Sequence, residues 1–326
     1  MRNIKKFLAK AVYKIFKKKP IFFYSSKESS KLSFKNNCIY CPHPFTNWSL
    51  NPYYSPKGVK QHTIEGFRKT DAYNSVESYF DKSDKNLFKI LCVGGSTTYC
   101  TEIDSYEDTW PFMLNLKLSK LKKNCIVANA GVGGWGTIQS LNRFQTWGSI
   151  LKPNLTIIYQ SKNDLTPFFN GRLSEKKIFP DLQNIMLQYS QVIPNNNFAS
   201  KFFGLQNVYG DLKSLNDSDL DRFSDKDIQL TRMRYQLFSF IASFWGGNVL
   251  FIPELIKKDS AYFEKMTLLH NLMKNIALDN ENSYFFDMRE VYPLESKLFL
   301  DKIHFNKKGC ELFSEILLNQ IIKNHI

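Results

Sequence analysis

The chain has 326 residues, 43% of them apolar and 15% aromatic, with only 15 Gly and 12 Pro. This composition excludes a disordered or collagen-like polypeptide and allows one large domain with an extension. The formal net charge is +14, but residues 1–35 hold eleven Lys/Arg against one acid, Glu28, and everything after them contributes only +4. No nucleic-acid partner is expected for the main body, because a polyanion calls for a basic face rather than a basic end segment.

In that first segment the apolar residues Ile4, Phe7, Leu8, Ala11, Val12, Ile15 and Phe16 recur three or four apart, with lysines on the remaining arc. The spacing predicts a basic amphipathic helix within residues 1–35. Lysines interrupt it too often for a signal-peptide core or a membrane span, and no other stretch is apolar over span length. Two readings stay open: residues 1–23 lie on an anionic membrane surface, or the same stripe docks on the protein's own core. Six cysteines (Cys38, Cys41, Cys92, Cys100, Cys125 and Cys310) in a chain with no secretory signal are expected to be free thiols in a reducing compartment. The expected location is therefore cytoplasmic, peripheral at the inner membrane surface if the helix takes lipid.

Residues 36–85 are rich in Asn, Pro, Tyr and Ser, and their stretch CPHPFTNWSLNPYYSPKG follows neither the helix nor the strand period. They are read as an irregular arm wrapping the domain. Cys38 and Cys41 form a C-x-x-C with His43 nearby, but structural zinc takes four ligands and no second pair is suitably spaced, so no metal is expected.

After Lys85 strands and helices alternate. Residues 87–94 (LFKILCVG) read as a buried strand feeding the tight turn Gly94-Gly95-Ser96, and Trp110, Met113, Leu114, Leu116, Leu118 and Leu121 predict a helix over 107–123. Strands follow at 125–130, 155–160, 248–252 and 283–287, with helices at 137–151, 229–245, 258–278 and 306–323. Such alternation predicts a doubly wound parallel sheet, so residues 86–326 are expected to form the main domain. Residues 165–228 break the pattern and are expected to be an insertion over the active face.

In an open parallel sheet, ligands bind beyond the carboxyl ends of the strands. The expected strand ends deliver Ser96, the run 129–134 (NAGVGG), Asn163-Asp164 and, after the last strand, Asp301-Lys302-Ile303-His304. This set suits acyl transfer. A serine hydroxyl needs an adjacent base to attack; histidine titrates near neutral pH, and a carboxylate on its other nitrogen fixes the tautomer. Of the five histidines (His43, His62, His270, His304 and His325), only His304 has an aspartate three residues earlier on an expected loop entering a helix. The amides of Ser96 and Gly134 and the carboxamide of Asn163 are the candidate oxyanion donors. Taken singly these signals are weak, since Gly-Gly-Ser is also an ordinary strand–helix turn, Asp301 could simply cap a helix and Asn163-Asp164 could be turn chemistry.

Gly94-Gly95-Ser96-Thr97-Thr98, residues 129–134, Ser161-Lys162-Asn163-Asp164 and Asp301-Lys302-Ile303-His304 resemble, in order, the four blocks of the SGNH/GDSL hydrolase superfamily, over about residues 87–326. His43-Pro44-Phe45 and Glu65-Gly66-Phe67-Arg68 also resemble the arm of bacterial members whose first block reads GGSTT. The resemblance implies a flavodoxin-like three-layer sandwich around a central parallel sheet. It also implies a serine esterase with nucleophile Ser96, triad partners Asp301 and His304, an oxyanion hole of Ser96, Gly134 and Asn163, and no cofactor. The implied partner is a small-molecule, glycan or lipid acyl ester, an O-acetylated carbohydrate or a lipid ester being favoured. The family also contains O-acyltransferases with the same triad, and a non-catalytic binding module on this fold is a third alternative. Gly95 stands where the GDS pattern has aspartate, as in the GGSTT branch, and Ser161 stands where the third block has glycine.

Residues 131–136 (GVGGWG) satisfy the G-x-G-x-x-G dinucleotide fingerprint between a strand and a helix. That fingerprint wants an acidic residue at the end of the next strand, and 155–160 offers none.

Overall fold

The computed structural model describes residues 39–43, 46–81, 87–121, 124–165, 224–257, 260 and 262–323. The helix expected within 1–35, Cys38, His325 and residues 166–223 of the expected insertion lie outside the described residues.

The arm segment contains a short antiparallel hairpin, β1 (Tyr40–His43) and β2 (Asn47–Leu50), in which Tyr40 opposes Leu50. Its strands are too short and too polar for the alternation to show in sequence. A 3-10 turn (Pro56–Gly58) and a short helix, α1 (Val76–Asp81), follow, with Glu65 accepting from the Val76 and Glu77 amides at the start of α1.

Five strands then form one parallel sheet: β3 (Phe88–Gly94), β4 (Cys125–Asn129), β5 (Leu155–Tyr159), β6 (Asn248–Ile252) and β7 (Ser283–Phe285), in the order β4-β3-β5-β6-β7. This is the flavodoxin-like order 2-1-3-4-5, with its reversal between β3 and β5. β4 and β5 are buried at every position, as expected of strands covered on both faces. Cys92 on β3 lies opposite Asn129 on β4 and Ile157 on β5, which sets the register of the three central strands.

The intervening helices are α2 (Ser96–Tyr99), α3 (Trp110–Lys120), α4 (Thr137–Leu151), α5 (Asp225–Ser243), α6 (Phe263–Asp279) and α7 (Lys307–Lys323). The two-residue side-chain period of the strands divides the core into two layers. Ile90, Cys92, Ile157, Leu250 and Ile252 pack with Trp110 and Leu114 of α3 and Phe313 and Leu317 of α7. Leu91, Val93, Ile158, Val249 and Phe251 pack with Phe144 of α4, Phe238 of α5 and Met273 of α6. The result is the three-layer sandwich with a central parallel sheet that the sequence predicts.

Three helices start more than one residue from the sequence expectation, each for a local reason. The helix expected over 107–123 divides into a 3-10 turn, Tyr106–Asp108, and α3, because Thr109 is extended (ψ 149°) and Pro111 suits only a first helical turn. α5 starts at Asp225, since Asp227 accepts from both the amide and the hydroxyl of Ser224 at 2.7 Å and closes a capping box. α6 starts at Phe263 rather than 258, after the turn in which the Phe263 amide donates to Ser260 O.

Candidate active site

At the carboxyl end of β3 the chain turns within two glycines, and Ser96 becomes the first residue of α2. Its N–H therefore has no acceptor inside the helix. Side chains have no room here. A Cβ at Gly94 would collide with Thr98 Oγ1, and one at Gly95 would lie 2.9 Å from Trp135 O and 3.0 Å from Asn163 Nδ2. The second contact explains why glycine, and not the aspartate of the GDS pattern, stands before Ser96. It also places the Asn163 carboxamide directly beside the serine's backbone.

The far end of α2 is held by the arm. Arg68, 1% exposed, donates through Nη1 to Tyr99 O and Cys100 O, both at 2.8 Å, and through Nη2 to Ile103 O. His62 Nδ1–H donates to Asn51 O at 2.7 Å, leaving Nε2 to accept from the Tyr99 hydroxyl at 2.9 Å. Burial pushes the His62 imidazole down to about 3, so it is a neutral strut. On the opposite side Trp110 Nε1 donates to Thr97 O at 3.1 Å, so one fully buried indole both fills the core and braces the serine turn.

His304 reaches Ser96 from a loop 208 residues away in the chain. The Leu300 amide donates to His304 O at 2.8 Å, closing the loop ahead of α7. Inside it Asp301 Oδ1 accepts the amides of Ile303 and His304, both at 2.7 Å, and Oδ2 lies 2.7 Å from His304 Nδ1. Burial alone would raise the Asp301 carboxyl, but the hydrogen bonds from the His304 ring and from the two amides outweigh it and hold the group below the usual carboxylate range. An ionised carboxylate only accepts, so Nδ1 carries the ring proton and Nε2 presents its lone pair. Ser96 Oγ lies 2.8 Å from that Nε2 and donates to it. Each proton thus has one consistent direction, from Ser96 to His304 and from His304 to Asp301.

The two other predicted oxyanion donors lie on the turns that follow β5 and β4. Asn163, on the 3-10 turn Lys162–Leu165 after β5, donates through Nδ2 to Trp135 O at 2.9 Å, which fixes its carboxamide and leaves the second Nδ2 hydrogen for another acceptor. Gly134 precedes Trp135 in the turn between β4 and α4 and adopts φ +79°, a conformation in which a side chain would be strained. The hairpin holds this turn: Trp48 Nε1 donates to Gly133 O at 2.9 Å and Trp135 Nε1 to Trp48 O at 3.1 Å. Ser96, His304 and Asp301 are therefore joined by hydrogen bonds where the strand order reverses, with Asn163 beside Gly95 and bound to Trp135 O, one residue after Gly134.

The glycine run 131–136 shows no preparation for a dinucleotide. The Thr137 amide at the start of α4 is already bound by Asp164 Oδ1 at 2.7 Å, and the Gly136 amide by Gln139 at 3.1 Å. A pyrophosphate would use such amides at a helix start. Among the described residues no group of three or more His, Cys, Asp or Glu is placed to hold a metal ion. Cys41 is turned to Leu50 O, and His43 lies 2.8 Å from Thr46 Oγ1. No helix among the described residues is long and apolar enough to cross a membrane.

One residue of the rim escaped sequence reasoning. Glu254, just beyond β6 and 4% exposed, accepts from Thr97, Ser161 and Lys162. Its signal in the sequence is a carboxylate two positions after the apolar run NVLFI, at a strand's carboxyl end. Ser161 is explained by the same neighbourhood: its hydroxyl is 3.4 Å from Glu254 Oε2 and 3.0 Å from His270 Nε2.

No family model matches the chain, and no curated protein matches it. Among solved structures it is similar to TesA, at 14% identity over 72% of this chain and 97% of that chain, with a TM-score of 0.46. It is also similar to a lipase/acylhydrolase from Enterococcus faecalis, at 15% identity over 72% and 95% of the two chains, TM-score 0.47. A third is the acetyl xylan esterase AlAXEase, at 14% identity over 72% and 100%, TM-score 0.45.

Proposed function

We propose that the chain is a serine hydrolase of the SGNH/GDSL type that cleaves an acyl ester through an acyl-enzyme on Ser96. The observation that carries this reading is the unbroken series Asp301–His304–Ser96, with contacts of 2.7 and 2.8 Å. Ser96 Oγ attacks the ester carbonyl as His304 Nε2 takes its proton, and Asp301 steadies the imidazolium. The carbonyl oxygen becomes an oxyanion, which the Ser96 and Gly134 amides and the second hydrogen of Asn163 Nδ2 receive. Collapse breaks the bond to the alcohol, which leaves with the proton from His304. Water then repeats the sequence on the acyl-enzyme, releasing the acid and restoring the Ser96 hydroxyl.

The substrate class we favour is an O-acetylated carbohydrate or a lipid ester. The test is labelling by a fluorophosphonate probe, which phosphonylates an activated serine. The wild type is expected to label and Ser96→Ala to remain unlabelled. An unlabelled wild type, or equal labelling of the variant, overturns the assignment. Free acid released in the presence of excess sugar marks hydrolysis, whereas an acylated sugar as the main product replaces this reading with acyl transfer.

A further inference from the structure

The rim holds a second set of polar groups that the hydrolytic steps do not use, centred on Glu254. Its carboxylate spans the two turns that carry the reaction. Oε1 accepts from the Thr97 hydroxyl at 2.6 Å, next to Ser96. Oε2 accepts from the amides of Ser161 and Lys162, both at 2.7 Å, at the entry to the turn that carries Asn163. The groups bonded to it are donors, so one buried carboxylate ties the nucleophile's helix after β3 to the oxyanion donor's turn after β5.

The donors behind Glu254 are ordered as well. Asp287 binds Arg289 through Nε and Nη2, and Arg289 Nη1 lies 3.1 Å from His270 Nδ1. A guanidinium can only donate, so Nδ1 is the acceptor and the His270 proton sits on Nε2. That Nε2–H donates to Ser161 Oγ at 3.0 Å, which turns the Ser161 hydroxyl hydrogen toward Glu254 Oε2. Burial pushes His270 down to about 3, in keeping with this neutral tautomer. The serine that replaces the third-block glycine is thus the last link of a chain of donors running from Arg289 through His270 to Glu254, with Asp287 accepting from Arg289 at the far end.

We propose that Glu254 is a positioning residue for catalysis: by holding Thr97 and the 161–162 amides on one carboxylate, it sets the spacing between the Ser96 nucleophile and the Asn163 oxyanion donor, with Ser161, His270 and Arg289 fixing its orientation. This rests on the serine-hydrolase reading above. Oxyanion donors act only at the correct distance, and a displacement of about 1 Å at a reacting centre costs on the order of a hundredfold in rate.

The test uses the full chain and three variants. Thr97→Val removes the link to the nucleophile turn at constant volume, Glu254→Ala removes the whole bridge, and Glu254→Gln keeps an acceptor for the two amides while its NH2 donates to the Thr97 hydroxyl. With p-nitrophenyl acetate, kcat is expected to fall about tenfold in Thr97→Val and about a hundredfold in Glu254→Ala. KM should stay within about twofold and the thermal midpoint of Thr97→Val should fall only by the amount that losing one donor to a buried carboxylate requires, the variant remaining folded, with Glu254→Gln restoring most of the rate. The rate constant for phosphonylation of Ser96 is expected to fall in parallel. Wild-type rates in Thr97→Val, or a Glu254→Gln no better than alanine, overturn the proposal, and the first of these decides the matter even if Glu254→Ala does not fold. A wild type that does not label at all removes the hydrolase reading instead. The bridge is then judged on the side-chain amide resonances of Asn163, which should shift in Thr97→Val; unchanged resonances overturn it whether or not Ser96 reacts.

Discussion

Replacing Asp301 by asparagine probes the proton directions at the catalytic rim with no change of volume. Oδ1 of Asp301 accepts two backbone amides, and Oδ2 accepts one proton, from His304 Nδ1. In Asp301→Asn the carboxamide oxygen is held by the two amides, since reversing the group sacrifices two such bonds, each worth about 1 kcal/mol net, to regain one. The NH2 then faces His304 Nδ1, which must accept, and the ring proton moves to Nε2. Nε2 now donates to Ser96 Oγ instead of taking its proton. The base is lost with the geometry intact, an effect of about four orders of magnitude in rate, or roughly 5 kcal/mol of barrier. The assay is the pre-steady-state release of p-nitrophenol from p-nitrophenyl acetate at neutral pH, with circular dichroism to confirm that the variant is folded. Acylation within tenfold of the wild type in a folded variant would refute the tautomer assigned to His304.

Gly95→Ala places a Cβ 2.9 Å from Trp135 O and 3.0 Å from Asn163 Nδ2, so the carboxamide must shift. The expected result is a loss of roughly tenfold or more in kcat at nearly constant KM, read by steady-state kinetics. Arg68→Met strips buried carbonyls of Tyr99, Cys100 and Ile103 of their charged donor and should cost about 3 kcal/mol or more, read from urea midpoints. His62 has a folded-state pKa of about 3 against an ordinary 6.5, so the unfolded chain takes up the proton first as pH falls. Its contribution is complete above the ordinary value and is lost progressively below it, about 2 kcal/mol by pH 5. The loss of stability between pH 7 and pH 5 should therefore be smaller in His62→Asn by that amount.

Much of the sheet was legible because its strands are nearly pure apolar runs: Asn248–Ile252 has the predicted limits, and β4 and β5 each end one residue early. The candidate site was legible in position because strand ends lie along one rim: Ser96 and the Asp301–His304 loop, singled out as such ends, lie within hydrogen-bond reach. What escaped were contacts made across long separations by residues with no local pattern. Glu254 meets Thr97 over 157 positions, and nothing in the intervening sequence links them. The hairpin escaped because each strand is four residues long and β2 buries Trp48, Ser49 and Leu50 in succession, so no two-residue period shows. Helix starts shifted where capping by Asp227, or a proline at α3, overrode the apolar spacing.

The clamp from the early part of the chain sets a rule for trimming this protein. A fragment starting at residue 87 would carry all four motif blocks and the whole parallel sheet. It would nevertheless lose Trp48 from the Gly133–Trp135 turn, His62 from the Tyr99 hydroxyl and Arg68 from the end of the serine helix. Such a fragment would keep its chemical groups and surrender the tolerances between them, and grafting the four blocks onto another sheet would meet the same difficulty unless the wrapping segment travelled with them.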